Sequence, residues 1–262
     1  MKRIRLKVAY DGTDFHGFQK LPELRTVEGV LEDALCELCR EPVELIGASR
    51  TDSGVHSRGN VAVFDTESSI PSDRFCYALD QKLPPDLRVI ASEACAADWH
   101  PRKQKAIKTY EYSIYNGRIE DPLLRRYAWH CPYPLDTEAM REALLQLVGR
   151  HDFTAFSNPA SQILQRGGSA ERTICSAELM EEGGPAYGGG RGLIRLRIKG
   201  DGFLYHMVRI ITGTVMETGA GAKAPEDIKD ILNSKDRKKA GMTAPARGLC
   251  LMSIDYAAED GP

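Results

Sequence analysis

The stretch Gly47-Ala48-Ser49-Arg50-Thr51-Asp52-Ser53-Gly54-Val55-His56 sets one arginine and one carboxylate among small residues. A carboxylate can act as a nucleophile or as a general base. Arg50 and Asp52 are two residues apart, so they share a side on an extended chain and diverge at a turn. By itself the stretch also fits a common Asp-Ser-Gly turn beside an incidental arginine. A second charged group stands out in Met207-Val208-Arg209-Ile210-Ile211, an apolar run in which an unpaired charge would be costly. A guanidinium there stays charged and can hold two carboxylate oxygens at once. Tyr110 shares a face with Tyr112 and Ile114 and, taken alone, reads as a core tyrosine.

These groups need a scaffold. Residues 3–10 alternate as a half-buried strand does, with Ile4, Leu6, Val8 and Tyr10 on one face. Thr26 is placed to cap a helix carrying Val27, Val30, Leu31, Ala34, Leu35 and Leu38. Strands are expected at 43–48 and 60–66, a helix at 73–82 and a strand at 87–94. Asp98 to Lys105 reads as a junction, followed by a strand over 106–115. Asp136 is expected to cap a helix that Gly149 stops. Strands at 172–180 and 192–199, helices at 205–217 and 225–233, and a last strand at 249–255 complete the pattern. The fold class is α+β, in two halves, 1–103 and 104–262, each with a largely antiparallel sheet and helices on one face.

Composition narrows the function. The chain has 262 residues, 42% of them hydrophobic, enough for a large core. No stretch approaches the roughly 20 apolar residues of a membrane span. The N-terminal Met-Lys-Arg-Ile-Arg-Leu-Lys-Val alternates, which fits a strand and not an export signal. Seven cysteines in a long chain argue against a disulfide framework and for the cytoplasm. Lys+Arg is 35 against 37 Asp+Glu, a net charge of −2, so a nucleic-acid partner would need local basic patches. Arg102 to Lys105 with Lys108, Arg125-Arg126, and Lys235 to Lys239 are the candidates. Cys36-x-x-Cys39 has no second Cys-x-x-Cys and lies in a predicted helix, so it reads as structural; the six histidines show no metal-ligand spacing.

The stretch around Asp52 closely resembles the Arg-Thr-Asp-x-Gly-Val-His signature of the tRNA pseudouridine synthase A family. Tyr10-Asp11-Gly12-Thr13 with Phe15, Gly17 and Gln19, then Leu83-Pro84-Pro85-Asp86, Lys108-Thr109-Tyr110-Glu111-Tyr112 and Asp152-Phe153-Thr154-Ala155-Phe156 are similar to further family blocks. So are Gly202-Phe203-Leu204-Tyr205-His206-Met207-Val208-Arg209 and Ala244-Pro245-Ala246-Arg247-Gly248-Leu249. The matches keep the family's order and run from about Lys2 to about Tyr256.

The resemblance implies the pseudouridine synthase fold, two α/β halves whose antiparallel sheets join across a central RNA-binding cleft. It implies a homodimer that isomerises uridine to pseudouridine in the anticodon arm of tRNA, at roughly nucleotides 38 to 40, with no cofactor and no metal. Asp52 becomes the essential carboxylate, with Arg209 beside it. Tyr110 packs on the target base and is a candidate base for the C5 proton. Arg50 fills the gap left by the flipped nucleotide. His56 and His206 fall inside matched motifs as RNA-contacting or supporting groups, and Leu251 is assigned to the uracil pocket. Phe18, Ser49, Ser53 and Ile210 depart from the usual family pattern, which leaves open a shifted choice of nucleotide. A same-fold enzyme for another RNA site and a non-catalytic RNA-binding module are the alternatives. The presence of Asp52, Tyr110 and Arg209 together weighs against the second.

Overall fold

The computed structural model describes residues 1–184 and 186–257. In chain order these form β1 (Lys2–Tyr10), α1 (Val27–Cys39), β2 (Ile46–Gly47), β3 (His56–Thr66), α2 (Phe75–Asp80), β4 (Leu87–Cys95) and β5 (Ala106–Asn116). They continue as β6 (Trp129–Cys131), α3 (Thr137–Leu145), β7 (Gly149–Asp152), α4 (Gln162–Gln165), β8 (Glu171–Gly183), β9 (Gly192–Gly200), α5 (Met207–Gly219), α6 (Asp227–Ser234) and β10 (Leu249–Tyr256). The class is α+β. No helix among the described residues is long and apolar enough to cross a membrane.

The chain divides into two compact units. The first is Met1–Ala106 with Cys250–Pro262, the second Ile107–Leu249. In the first, β1 lies between β4 and β3, antiparallel to both. β3 also takes β2 antiparallel and β10 parallel. Alternation on β1 works as expected: Ile4, Leu6 and Val8 are fully buried and meet Val27, Leu31 and Leu35 of α1 and Phe75 and Leu79 of α2 in one core. The Thr26 hydroxyl accepts the Gly29 N–H at 3.3 Å, which starts α1. Arg40 ends it in a left-handed conformation (φ 59°).

The second unit is a sheet in the order β5-β9-β8-β7, antiparallel throughout, with the short β6 added parallel to the end of β5. Asp136 Oδ1 accepts the Glu138 and Ala139 N–H groups at 3.0 and 3.1 Å and caps α3. Ile210, Ile211, Thr212, Gly213, Thr214 and Val215 of α5 are all buried. Its threonines satisfy their hydroxyls within the helix: Thr212 donates to Val208 O at 2.9 Å and Thr214 to Ile210 O at 2.8 Å.

The short β6 and α4 were not expected from the sequence, and three further places differ from the expectation. Residues 43–45 are not strand, because helix side chains take their amides. Val43 N–H points to Cys36 Sγ at 3.2 Å and Leu45 N–H donates to Glu32 Oε1 at 3.0 Å. Gly149 does not stop a helix. α3 ends at Leu145, and Gly149 opens β7 at φ 118°. The last strand does not stay with the second half of the chain: Cys250 and Leu251 pair with His56 and Ser57.

Candidate active site

The chain from Ala48 to Val55 carries no regular structure of its own, and the N-terminal segment and β3 supply its bonds. The Phe18 N–H donates to Thr51 O at 3.1 Å and the Gly54 N–H to Phe15 O at 3.2 Å. The Tyr10 phenol and Thr51 hydroxyl are 2.7 Å apart. Asn60, fully buried on β3, donates from Nδ2 to Ser49 O at 2.9 Å and to the Tyr10 phenol at 3.3 Å. Asp52 to Val55 form a tight turn, with the Val55 N–H on Asp52 O at 3.1 Å. Gly54 at φ 77° in the third position makes it a type II turn. Asp52 is half-buried on this turn, and Arg50, two residues earlier, is exposed. The turn expected from Asp-Ser-Gly is thus present, and Asp52 is its first residue.

His56 and Leu251 stand behind the turn. His56 is 6% exposed and its Nδ1 accepts the Gly12 N–H at 3.0 Å. Asp11 Oδ1 lies 3.1 Å from the same nitrogen. Both cannot be full hydrogen bonds, since a nitrogen that accepts from Gly12 has no proton to give Asp11. The Gly12 bond makes His56 a brace for the backbone. Leu251 is fully buried, and its carbonyl accepts the Ser57 hydroxyl at 3.2 Å. It supports the strand that follows the turn and has no exposed surface of its own.

Tyr110, His206 and Arg209 lie in the second unit. Tyr110 is paired with Ile198 across β5 and β9, is 7% exposed, and meets Phe203 edge to face at 5.0 Å between centroids. Tyr112, two residues on, is fully buried and donates its hydroxyl to Pro245 O at 2.7 Å. Burial pushes its phenol far above the ordinary tyrosine range, with Arg209 and Arg247 opposing that rise. Arg209 is half-buried in the first turn of α5. Its Nε donates to Ala244 O at 2.7 Å, while the Ala244 N–H donates to Arg209 O at 3.1 Å. The Gly241 N–H bonds the Thr214 hydroxyl at 2.9 Å, so residues 241–244 run along α5 and fix the guanidinium's approach. His206 precedes the helix at φ 63° and ψ 5°, a left-handed conformation that costs a non-glycine residue about 1 kcal/mol or more. Its Nδ1 is 3.1 Å from Asn158 Nδ2.

Sequence reading missed Asn60, Asn158 and Glu32. An asparagine directly before the apolar stretch Val61-Ala62-Val63-Phe64 was the available signal for the first. Asn158 and Glu32 had none, because their partners are 48 and 13 residues away. The Cys36 thiol is engaged with the Val43 backbone, and burial raises the Cys39 thiol above its usual value. Of the basic stretches, Arg102 to Lys105 and Arg125-Arg126 are exposed. Arg237 within 235–239 instead holds Ala240 O and Gly241 O at 3.2 and 2.9 Å, which ties down the segment beside α5.

A sequence profile described as tRNA pseudouridine synthase matches residues 7–102 and 143–257. The chain is 43% identical over 256 residues to the tRNA pseudouridine synthase A of Acetivibrio thermocellus, covering 98% of this chain and 100% of the relative. It is 41% identical over 256 residues to the tRNA pseudouridine synthase A 2 of Clostridium perfringens, with the same coverage. The tRNA pseudouridine synthase A of Brevibacillus brevis is 40% identical over 256 residues, again covering 98% and 100% of the two chains.

Proposed function

The chain belongs to the tRNA pseudouridine synthase A family, and on that premise we propose that it acts on the anticodon stem-loop of tRNA, at roughly nucleotides 38 to 40, with Asp52 as the reacting carboxylate. The enzyme is an isomerase. The N1–C1′ bond of uridine breaks, the uracil turns, and C5 is joined to C1′. The C5 proton is lost and N1 regains one, so the reaction balances without a cofactor.

The observation that carries the assignment is the bracing of Asp52. A half-buried carboxylate sits on a type II turn whose backbone is bonded from residues 15 and 18 and whose neighbour Thr51 is bonded by Tyr10. A group that must attack C1′ or the ring, or take a C2′ proton, gains from being held in one place before the substrate arrives. Arg50, exposed beside it, is assigned to the stack opened by the flipped nucleotide, where a planar guanidinium can lie on bases and bond phosphates. Tyr110 is assigned to stacking on the uracil. Its phenol, ordinarily near pKa 10, makes a weak base at neutral pH, so the packing role is the stronger part of its assignment. Arg209 is assigned as the cation that keeps the reacting carboxylate ionised. His206 is assigned to RNA contact, His56 to support, and Leu251 to the wall of the uracil pocket. The functional form is a homodimer in the cytoplasm, with exposed Arg102 to Lys105 and Arg125-Arg126 on the RNA phosphates.

Pseudouridine mapping on unmodified tRNA transcripts tests the target site. Product confined to the anticodon stem-loop is expected. Product elsewhere would move the enzyme to another RNA site. Tight RNA binding with no product on any transcript would favour a binding module.

A further inference from the structure

We propose that Asn158 is a positioning residue for the RNA site: it fixes the His206 ring with its proton on Nε2, as a hydrogen-bond donor to an RNA oxygen. The proposal rests on the assignment of His206 to RNA contact.

A chain of donors and acceptors leads to it. The Ala160 N–H can only donate, and it meets Asn158 Oδ1 at 2.9 Å. That contact settles which end of the amide is oxygen. The other end is the NH2 group, which can only donate, and it faces His206 Nδ1 at 3.1 Å. A ring nitrogen that faces a donor must accept, so Nδ1 carries no hydrogen and the neutral ring holds its proton on Nε2. No other tautomer satisfies both contacts.

Asn158 is itself fixed on every side. Its N–H donates to Tyr205 O at 3.0 Å and its carbonyl accepts the Ser161 N–H at 2.9 Å. Pro159 follows it and removes the helical region from its backbone choices. It thus bonds the backbone of Tyr205 and the ring of His206, two consecutive residues. His206 needs such a guide, because its left-handed backbone places it outside α5 and outside the rotamer preferences of a helix. Its ring also lies against that of Tyr205, with centroids 3.9 Å apart at 35°. Tyr205 and Asn158 together set the plane of the imidazole, and the Asn158 contact sets its tautomer. An Nε2–H of fixed direction suits RNA, whose surface is rich in phosphate, ribose and carbonyl acceptors.

The test combines a spectrum with a mutant cycle. The 15N spectrum of the wild-type histidine rings should show His206 as the Nε2–H tautomer, and Asn158→Ala should convert it to a mixture. Steady-state kinetics on an anticodon stem-loop substrate should show Asn158→Ala raising KM by about tenfold, the weight of one hydrogen bond to a poised group, with kcat little changed. In the His206→Ala background the same substitution should add nothing. Additive effects on KM, or an Nδ1–H tautomer in the wild-type protein, would overturn the proposal. An enzyme that modifies no tRNA would sink the functional reading instead, and the wild-type spectrum would still decide the tautomer.

Discussion

The Tyr10 phenol lies 2.7 Å from the Thr51 hydroxyl, one residue before Asp52. It also accepts the Asn60 amide at 3.3 Å, so one buried oxygen ties β1, β3 and the turn together. Thr51 and Asn60 are 7% and 0% exposed, and water cannot replace the phenol. Tyr10→Phe should therefore destabilise the protein by about 1–3 kcal/mol, the usual effect of stranding buried polar partners. Because the loss falls next to Asp52, kcat should drop more than KM rises. Thermal unfolding and steady-state kinetics together check both parts.

Gly17 sits at φ 89°, and a methyl group on it would come within 2.8 Å of Thr51 O. That oxygen is the acceptor for the Phe18 N–H, so the turn cannot retreat without breaking its own support. Gly17→Ala should lower stability by about 1–3 kcal/mol. It should also reduce the rate of pseudouridine formation while leaving tRNA affinity close to wild type. A filter-binding assay alongside a fixed-time product assay separates the two.

Glu28 gives a pH-dependent prediction. Burial raises its carboxyl above the ordinary value; Glu32 adds to the rise, and the Lys20 N–H, Arg102 and Arg50 oppose it. A carboxyl raised on folding penalises the folded state once it ionises. The penalty is absent below the unfolded pKa of about 4.3 and complete once the pH has passed the folded value. Glu28→Gln keeps an acceptor for the Lys20 N–H, which now meets Oε2 at 2.7 Å. The variant should match wild-type stability near pH 4 and exceed it at pH 7. A variant less stable than wild type at pH 7 would refute this.

Arg209 donates to Ala244 O through Nε at 2.7 Å, one side of a planar fork that can bond in two directions at once. Lysine has one nitrogen and cannot serve both ends. Arg209→Lys should cut kcat by at least about tenfold with a smaller change in KM, since the positive charge survives and its direction does not. Single-turnover rates at saturating enzyme measure this directly.

Local chemistry made much of the fold legible. Thr26 and Asp136 cap their helices because their side chains reach only three residues ahead. The alternation of Ile4, Leu6 and Val8 announces a strand because one face is buried. Residues 43–45 were misread because Cys36 and Glu32, on a helix, take the amides a neighbouring strand would otherwise use. The return of β10 to β3 was hidden for the same reason: it depends on a parallel pairing between residues nearly two hundred positions apart, which no periodicity encodes. At the site, Asp52-Ser53-Gly54 marks the turn in the sequence. Its bracing by Phe15, Phe18 and Tyr10, and the fixing of His206 by Asn158, are contacts between distant segments and become visible only in three dimensions.

The central claim is that Asp52 carries the chemistry and that the turn exists to hold it. The direct test is a single-turnover assay of Asp52→Ala with an anticodon stem-loop substrate, run beside a binding titration and a thermal melt. The account predicts wild-type folding, tRNA affinity within a few-fold of wild type, and no detectable pseudouridine, since nothing else in the turn can replace the carboxylate. Product formed at a rate within about tenfold of wild type would contradict it, because loss of an essential nucleophile or base lowers rates by far more than that.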